Sequence, residues 1–311
     1  MNGEDIMKAL KKINRCLPVG RCRIAASDDA GFTGTDLLVV TGTVVILVML
    51  ILPALAGNRS DSQAFQCLSN LKRLQMASLL YSNDNNDFLP GNSGIISGTS
   101  PFIGAVGDPN WVAGSFETLD SAGNVDSPAG CSTNIFYLGV NGNINPNGNP
   151  ADNLLGSIGG YSRAAEIYHC PADRQIAPAY HALRVRSYSE NCYLGLSPIE
   201  VKNGERFLDT SYFGYEKTSD FGHKGLSASA QFVFVEENPL GLNDGFFLYN
   251  ASGIAIGDRP AANHGNSGSF SFADGHAELH PWHDAFLNTR TDYSASQQDP
   301  IWLAAHGTVH K

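Results

Sequence analysis

The feature that most constrains this chain is a run of twenty uncharged and mostly apolar residues, 37–56. As an α-helix this run is about 30 Å long, which matches the hydrocarbon core of a bilayer. A secretory signal usually has only about 7–15 apolar residues and a short leading segment, whereas 36 residues precede this run. Ala54-Leu55-Ala56 nevertheless matches the small-x-small pattern of a signal cleavage site. Both a permanent membrane anchor and a cleavable export signal therefore fit the run.

The helix is predicted to continue beyond the apolar run. Residues 62–82 place apolar side chains three or four positions apart, with polar side chains opposite them, as in an amphipathic helix with one buried stripe. Pro53 is predicted to kink the helix between its two halves, and the sequence NDNNDFLPG is predicted to end it. The expected element is one long helix over 32–82 that contains a transmembrane segment at 37–56. A cleavable signal needs no such continuation. The buried stripe consists of Ala64, Cys67, Leu68, Leu71, Leu74 and Tyr81.

Asp36 is a lone carboxylate at the edge of the apolar run. An unpaired carboxylate is costly inside a bilayer, so such residues usually have a partner. Cleavage between Gly31 and Phe32 would create an α-amino group four residues before Asp36. We expect this amine to neutralise the carboxylate, within the same molecule or in a neighbouring one.

The sequence from Gly31 through the apolar run resembles the processing motif of type IV prepilins and type II secretion pseudopilins. In that family a prepilin peptidase cuts after the glycine and methylates the new N-terminal phenylalanine, which implies processing at Gly31 and Phe32. The family's acid at the fifth mature position corresponds to Asp36, and its proline at the twenty-second corresponds to Pro53. Where the family usually has Leu-Ile-Glu, this chain has Gly-Thr-Asp. A divergent, unprocessed relative is therefore an open alternative.

A second resemblance lies near the other end of the chain. His264 is separated by nine residues from Asp274-Gly275, and this spacing resembles the signature of a bacterial branch of prepilin-like proteins named for its H-x9-DG motif. The phrases CLSNLKRL at 67–74 and YHCPADR at 168–174 also resemble that branch. The resemblance implies membership of the branch but assigns no role to the motif.

The remainder of the chain, residues 83–311, is predicted to be an exported α+β head. Its strand patterns occur at 186–195, 230–239, 245–250 and 268–282, with a tight hairpin turn at Asp274-Gly275. A long helix followed by several strands predicts a pilin-like α+β fold, in which an antiparallel β-sheet packs on the helix. Residues 91–160 are rich in Gly, Asn and Ser and are predicted to form a loop-rich insertion.

The charge distribution argues against nucleic acid as a partner. Residues 1–31 carry six of the 20 Lys and Arg residues but only four of the 30 Asp and Glu residues. The rest of the chain therefore has 14 bases and 26 acids, a net charge of −12. Such an acidic surface repels a phosphate backbone. The basic leader, 1–31, fits the cytoplasmic side of a membrane.

Four cysteines follow the apolar run and contain no C-x-x-C pair, which argues against a zinc knuckle. If this part of the chain is exported, they could form up to two disulfides with three alternative connectivities, and buried thiols are the alternative. The four are Cys67, Cys131, Cys170 and Cys192.

No catalytic residue is predicted, and the chain is not expected to be an enzyme. One candidate cation site combines Glu237, Asp244, His264 and Asp274, for which calcium is the candidate ion because it prefers carboxylate oxygens. The alternative for Asp274 and the residues that follow it is the solvent-facing side of an amphipathic hairpin. No other cofactor is expected.

The resemblances together imply a structural subunit of a type II secretion pseudopilus or of a type IV pilus-like filament. Its expected partners are prepilin peptidase, other pilin-like subunits and inner-membrane lipid. Its expected location is the bacterial inner membrane, with a single pass and an exported head. The alternative is a secreted or membrane-tethered enzyme, or a carbohydrate-binding module, that uses the apolar run only as an export signal.

Overall fold

The structure is a computed structural model. It describes residues 33–92, 110–112, 114, 116, 130–140, 156–195, 201–202, 205–206, 208–249, 251–252, 257–283 and 298–311. At 50–60, 201–202 and 205–206 it describes the backbone alone. The chain divides into two compact units, Met1–Pro53 and Ala54–Lys311.

The first helix, α1, spans Gly34–Asp84 and has 51 residues. It begins with a reciprocal pair of hydrogen bonds, in which the Thr33 backbone N–H donates to Asp36 Oδ2 and the Asp36 N–H donates to Thr33 Oγ1. This is the geometry of a capping box, which satisfies two backbone N–H groups that a helix start otherwise leaves unpaired. The helix ends where Asn86 and Asp87 adopt positive φ angles of 56° and 72°, which no α-helix can continue through.

The buried stripe of α1 lies where its apolar periodicity predicts. Cys67, Leu71 and Leu74 have no exposed surface, and they pack in a core cluster with Tyr188 and Phe234 of the sheet. The polar residues Lys72 and Arg73 face solvent. The predicted stripe over this half of the helix is therefore confirmed in the unit Ala54–Lys311.

A five-stranded sheet forms the centre of that unit, in the order β7 (Phe246–Phe247), β3 (Tyr188–Asn191), β6 (Phe232–Glu236), β8 (Ser267–Phe272) and β9 (Ala277–Pro281). The central strands β3, β6 and β8 are completely buried. The predicted strand positions at 186–195, 230–239, 245–250 and 268–282 are confirmed, because all five strands fall on them to within one residue.

The predicted fold class is wrong in two respects. The sheet is mixed rather than antiparallel, because β7 runs parallel to β3. The chain reverses after β6, but β6 is already paired with β3 on one side and β8 on the other, so β7 pairs with the free edge of β3. In addition, the expected transmembrane half of a long N-terminal helix is not found, because none of the helices in the described residues combines the length and apolar character needed to cross a membrane.

Short elements complete the described structure. Two two-stranded sheets pair β1 with β2 and β4 with β5, and a C-terminal helix lies close to β6. The described residues of the predicted insertion at 91–160 include Trp111, Leu138 and Ile158, which are buried in the core. The bounds are β1 Ile176–Ala177, β2 Ala182–Leu183, β4 Val201–Lys202, β5 Glu205–Arg206, α2 Gly159–Ser162, α3 Gln298–Gly307 and 3-10 helices at Ile135–Leu138, Ala165–Tyr168 and Thr218–Asp220.

Candidate functional site

Four metal-ligating side chains from distant parts of the sequence meet beneath α1. Cys67, Cys170, Glu236 and His264 each place one ligand atom within 4.8 Å of the others. The first three have no exposed surface, and His264 is 6% exposed. Within the described residues this is the only such group of three or more His, Cys, Asp or Glu side chains.

The strand register explains how one side of the cluster is built. Tyr188 of β3 and Glu236 of β6 are directly opposed in the antiparallel pair, so their side chains lie on the same face of the sheet. Ser269 of β8 lies beside them and donates a hydrogen bond of 2.9 Å to Glu236 Oε2. The Cys67 sulfur on α1 lies 3.2 Å from the Tyr188 hydroxyl, 3.3 Å from Ser269 Oγ and 3.5 Å from Glu236 Oε2. The helix therefore contacts this face of the sheet through a thiol among polar groups.

Two loops supply the other side of the cluster. Cys170 follows the 3-10 helix Ala165–Tyr168, and its backbone N–H donates to Ser187 Oγ at 3.1 Å. His264 precedes β8, and its Nε2 lies 3.3 Å from the Cys170 sulfur and 3.1 Å from Glu236 Oε2. These contacts fix both loops against the end of β6.

The electrostatics of the cluster favour the charged forms of His264 and Glu236. Burial disfavours the charged form of His264, but hydrogen bonds and negative charge from Cys67 and Glu236 outweigh it and raise the His264 pKa to about 10. Burial likewise opposes ionisation of Glu236, but the hydrogen bond and positive charge of His264 prevail and lower the Glu236 pKa. Burial raises the pKa of the Cys170 thiol. Burial opposes ionisation of the Cys67 thiol, but hydrogen bonds with Cys170 and His264 and the positive charge of His264 prevail and lower the Cys67 pKa. The two thiols of the cluster therefore have pKa shifts of opposite direction.

This composition allows three kinds of chemistry. Thiolates, an imidazole and a carboxylate are ligands for a transition metal. Two neighbouring thiols in an exported protein are also candidates for a disulfide. A cysteine activated by histidine is a nucleophile in some enzymes, but Cys67 and Cys170 have no exposed surface for a substrate to reach. The burial therefore favours a structural role over catalysis.

The H-x9-DG motif has a separate physical role at each end. His264 lies in the buried cluster, whereas Asp274 and Gly275 form the turn between β8 and β9, which confirms the predicted hairpin turn. Asp274 Oδ1 accepts a 3.0 Å hydrogen bond from the His276 backbone N–H, and Gly275 has a φ of 93°. The nine-residue spacing thus covers β8 and the short turns at its two ends.

Substituting Gly275 with alanine is expected to destabilise the hairpin through backbone strain alone. No atom lies within 4 Å of a Cβ built at Gly275, but its φ of 93° is a conformation that side chains disfavour. We expect Gly275→Ala to lower the free energy of unfolding by about 1–2 kcal/mol, measured by urea denaturation. Gly160→Ala is the matched control, because Gly160 also has open space around it but lies in α2 without a positive φ. Equal effects of the two substitutions would contradict this explanation.

The structure does not bring together the four residues predicted to bind calcium. Glu237 accepts a hydrogen bond from Ser189 and, with Asp244, supplies negative charge around the buried guanidinium of Arg186. Burial lowers the Arg186 pKa to about 10 and raises that of Glu237. His264 belongs to the cysteine cluster, and Asp274 lies in the exposed hairpin turn.

The four cysteines after the apolar run fall into three core clusters. Cys67 and Cys170 share the first, whereas Cys192 and Cys131 lie in two others. All four are buried, and no disulfide links any pair of them in the described part of the chain. The sulfur atoms of Cys67 and Cys170 lie within 4.8 Å of each other.

The predicted processing residues are only partly covered by the structure. Gly31 and Phe32 lie outside the described residues, and so does the side chain of Pro53. Asp36 is described and exposed, and it accepts hydrogen bonds from the Thr33 backbone N–H at 3.0 Å and the Thr33 hydroxyl at 2.7 Å. The sequence Thr-Gly-Thr-Asp at 33–36 is the local signal for this cap.

Sequence reasoning also missed the buried cluster as a unit. Its two cysteines lie in phrases already noted for their resemblance, CLSNLKRL and YHCPADR, and His264 begins the H-x9-DG motif. These two phrases and the motif are the sequence signals that point to the cluster. Comparisons with protein-family models, curated proteins and solved structures find no match to this chain.

Proposed function

We propose that this chain is a prepilin-like structural subunit. Prepilin peptidase cuts it after Gly31, and the processed chain assembles with other pilin-like subunits in a type II secretion pseudopilus or a type IV pilus-like filament. It has no enzymatic activity in this proposal. The N-terminal motif and the H-x9-DG motif supply the sequence basis.

The observation that best supports the proposal is the exposed apolar surface at the start of α1. Ten large apolar side chains over residues 37–49 are each between 48% and 73% exposed. A contiguous apolar surface of this kind marks a place where another apolar surface is bound. In this proposal neighbouring subunits and inner-membrane lipid cover it. The ten residues are Leu37, Leu38, Val39, Val40, Val44, Val45, Ile46, Leu47, Val48 and Met49.

The location follows from the same proposal. The basic leader stays in the cytoplasm, the subunit resides at the bacterial inner membrane, and the acidic head is exported. Nucleic acid is not a partner, because residues 32–311 carry a net charge of −12.

Sequencing the N-terminus of the processed protein tests the proposal. Co-expression of the full chain with a prepilin peptidase should yield a mature chain that begins at N-methylated Phe32, detected by mass spectrometry of its N-terminal peptide. Gly31→Ala should reduce or abolish this product, because in the family the peptidase cuts directly after a glycine. Expression of the full chain without the peptidase is the control.

Other N-termini would contradict the proposal in distinct ways. A mature chain that begins at Gly57 would favour the alternative of a secreted enzyme or carbohydrate-binding module with an ordinary signal. A retained Met1 would favour a divergent, unprocessed relative.

A further inference from the structure

We propose that Cys67, Cys170, Glu236 and His264 bind one Zn²⁺ ion in a closed, structural site. The proposal concerns the unit Ala54–Lys311 and does not depend on the proposed filament function. It differs from the calcium site expected from sequence in ion and in ligands, and shares only His264 with it.

The distances between the ligand atoms fit tetrahedral zinc. Bonds of about 2.3 Å to sulfur and about 2.0–2.2 Å to nitrogen or oxygen give a tetrahedron with edges of roughly 3.3–3.8 Å. Glu236 Oε2 lies 3.5 Å from the Cys67 sulfur and 3.1 Å from His264 Nε2. The Cys170 sulfur lies 3.3 Å from His264 Nε2, and all pairs lie within 4.8 Å. Shifts of a few tenths of an ångström along these edges, and at most about 1 Å along the others, would therefore close the tetrahedron.

The chemistry of the ligands selects the class of ion. Two thiolates and an imidazole suit zinc, whereas calcium takes about six to eight oxygen ligands. On binding, both thiols and the His264 imidazolium would release their protons to solvent, so that the ion meets two thiolates, a neutral imidazole and a carboxylate. The two thiolates and the carboxylate then exceed the charge of Zn²⁺ by one unit, so the surrounding groups must stabilise negative charge.

Neighbouring hydrogen-bond donors lie where they can stabilise the negative charge of the ligands. Ser269 Oγ and Asn263 Nδ2 each donate to a Glu236 oxygen at 2.9 Å. The Tyr188 hydroxyl lies 3.2 Å from the Cys67 sulfur, and the Ala172 backbone N–H donates to the Cys170 sulfur at 3.4 Å. Such outer contacts orient metal ligands and tune their affinity.

The burial of the cluster assigns it a structural role. Catalytic zinc sites keep one position open for water or substrate, whereas four protein ligands fill a structural site. Here the four ligands come from α1, the segment after Tyr168, β6 and the turn before β8. A single ion would therefore tie together four separate segments of the chain, as disulfides do in exported proteins.

Cobalt titration of the purified, reduced full chain tests the proposal. Co²⁺ is a suitable probe because it occupies tetrahedral zinc sites and absorbs visible light there. We expect one Co²⁺ per chain, with thiolate-to-cobalt charge transfer and the intense ligand-field bands of tetrahedral coordination, and full displacement by one equivalent of Zn²⁺. Cys170→Ser should lose these bands, whereas Cys192→Ser, a buried cysteine in a different core cluster, should retain them.

Ser269→Ala provides a variant that leaves all four ligands in place. Loss of its hydrogen bond to Glu236 should weaken Co²⁺ binding about 10- to 100-fold, while the far-ultraviolet circular dichroism spectrum of the ion-free protein stays the same. Ser227→Ala is the matched control, because the exposed Ser227 hydroxyl shares its hydrogen bond with Ser229 and not with a ligand of the cluster.

Three results would overturn the proposal. The first is a folded, reduced protein that takes up no Co²⁺. The second is Co²⁺ bound with an octahedral spectrum that survives in Cys170→Ser. The third is a Cys67–Cys170 disulfide in protein purified from cells without reductant, detected by peptide mapping.

Discussion

The Asp36→Ala variant is expected to reach the membrane fraction but to be absent from filaments. In the proposed function, the Asp36 carboxylate neutralises the amine of Phe32 after cleavage, in the same subunit or in its neighbour. Without the carboxylate, a charged amine remains unpaired among apolar surfaces, which is costly. Immunoblots of sheared filaments and of membranes, from cells that express the full chain and a prepilin peptidase, measure the two pools.

A second substitution at the same position separates this pairing from helix capping. Asp36 also accepts hydrogen bonds from Thr33 at the start of α1, so the alanine variant removes a cap as well as a charge. Asp36→Asn keeps an oxygen that can accept those hydrogen bonds but carries no charge. We expect it to be lost from filaments as well, whereas Asp61→Asn, at an exposed position of the same helix, should assemble normally. Normal assembly of Asp36→Asn would contradict the pairing.

The Leu74→Ala variant is expected to lose about 3 kcal/mol of unfolding free energy, within the range of about 2–5 kcal/mol for such core truncations. Leu74 has no exposed surface and packs in the cluster that joins α1 to the sheet. Its removal loses the transfer free energy of the buried side chain and leaves a cavity. Urea denaturation of the full chain, followed by circular dichroism, measures the change.

Leu80→Ala is the matched control for this prediction. It makes the same chemical change in the same helix, but Leu80 is 46% exposed. The change in helix propensity is therefore equal in the two variants, and the difference between them isolates burial. We expect the control to lose less than about 1 kcal/mol. Equal losses would show that this half of α1 does not pack on the sheet as described.

The elements that sequence predicted correctly are those fixed by local periodicity. The three- to four-residue spacing of Cys67, Leu71 and Leu74 identified the buried face of α1, because neighbouring turns of a helix present such residues on one side. The alternation around Asp274-Gly275 identified a hairpin, because few other dipeptides suit a turn with positive φ. Each of these patterns is contained in a segment of about twenty residues, so it can be recognised without knowledge of the tertiary structure.

The mixed topology of the sheet could not be predicted from local sequence patterns. The sequence of β7 is compatible with either edge of the sheet and with either direction. Its parallel pairing with β3 follows from the occupation of both sides of β6. That is a competition between strands from different parts of the chain, and no single strand sequence records its outcome.

By itself, the sequence determined the apolar run at 37–56, the amphipathic stripe that follows it and the strands of the sheet, because each depends on side chains that are close in the chain. Only the tertiary structure placed Cys67 beside Cys170, Glu236 and His264, which lie 103, 169 and 197 residues further along the sequence. Packing of α1 on the sheet and pairing of β3 with β6 create that neighbourhood. The sequence supplies the identity of these groups, but only the fold brings them close enough to bind one ion.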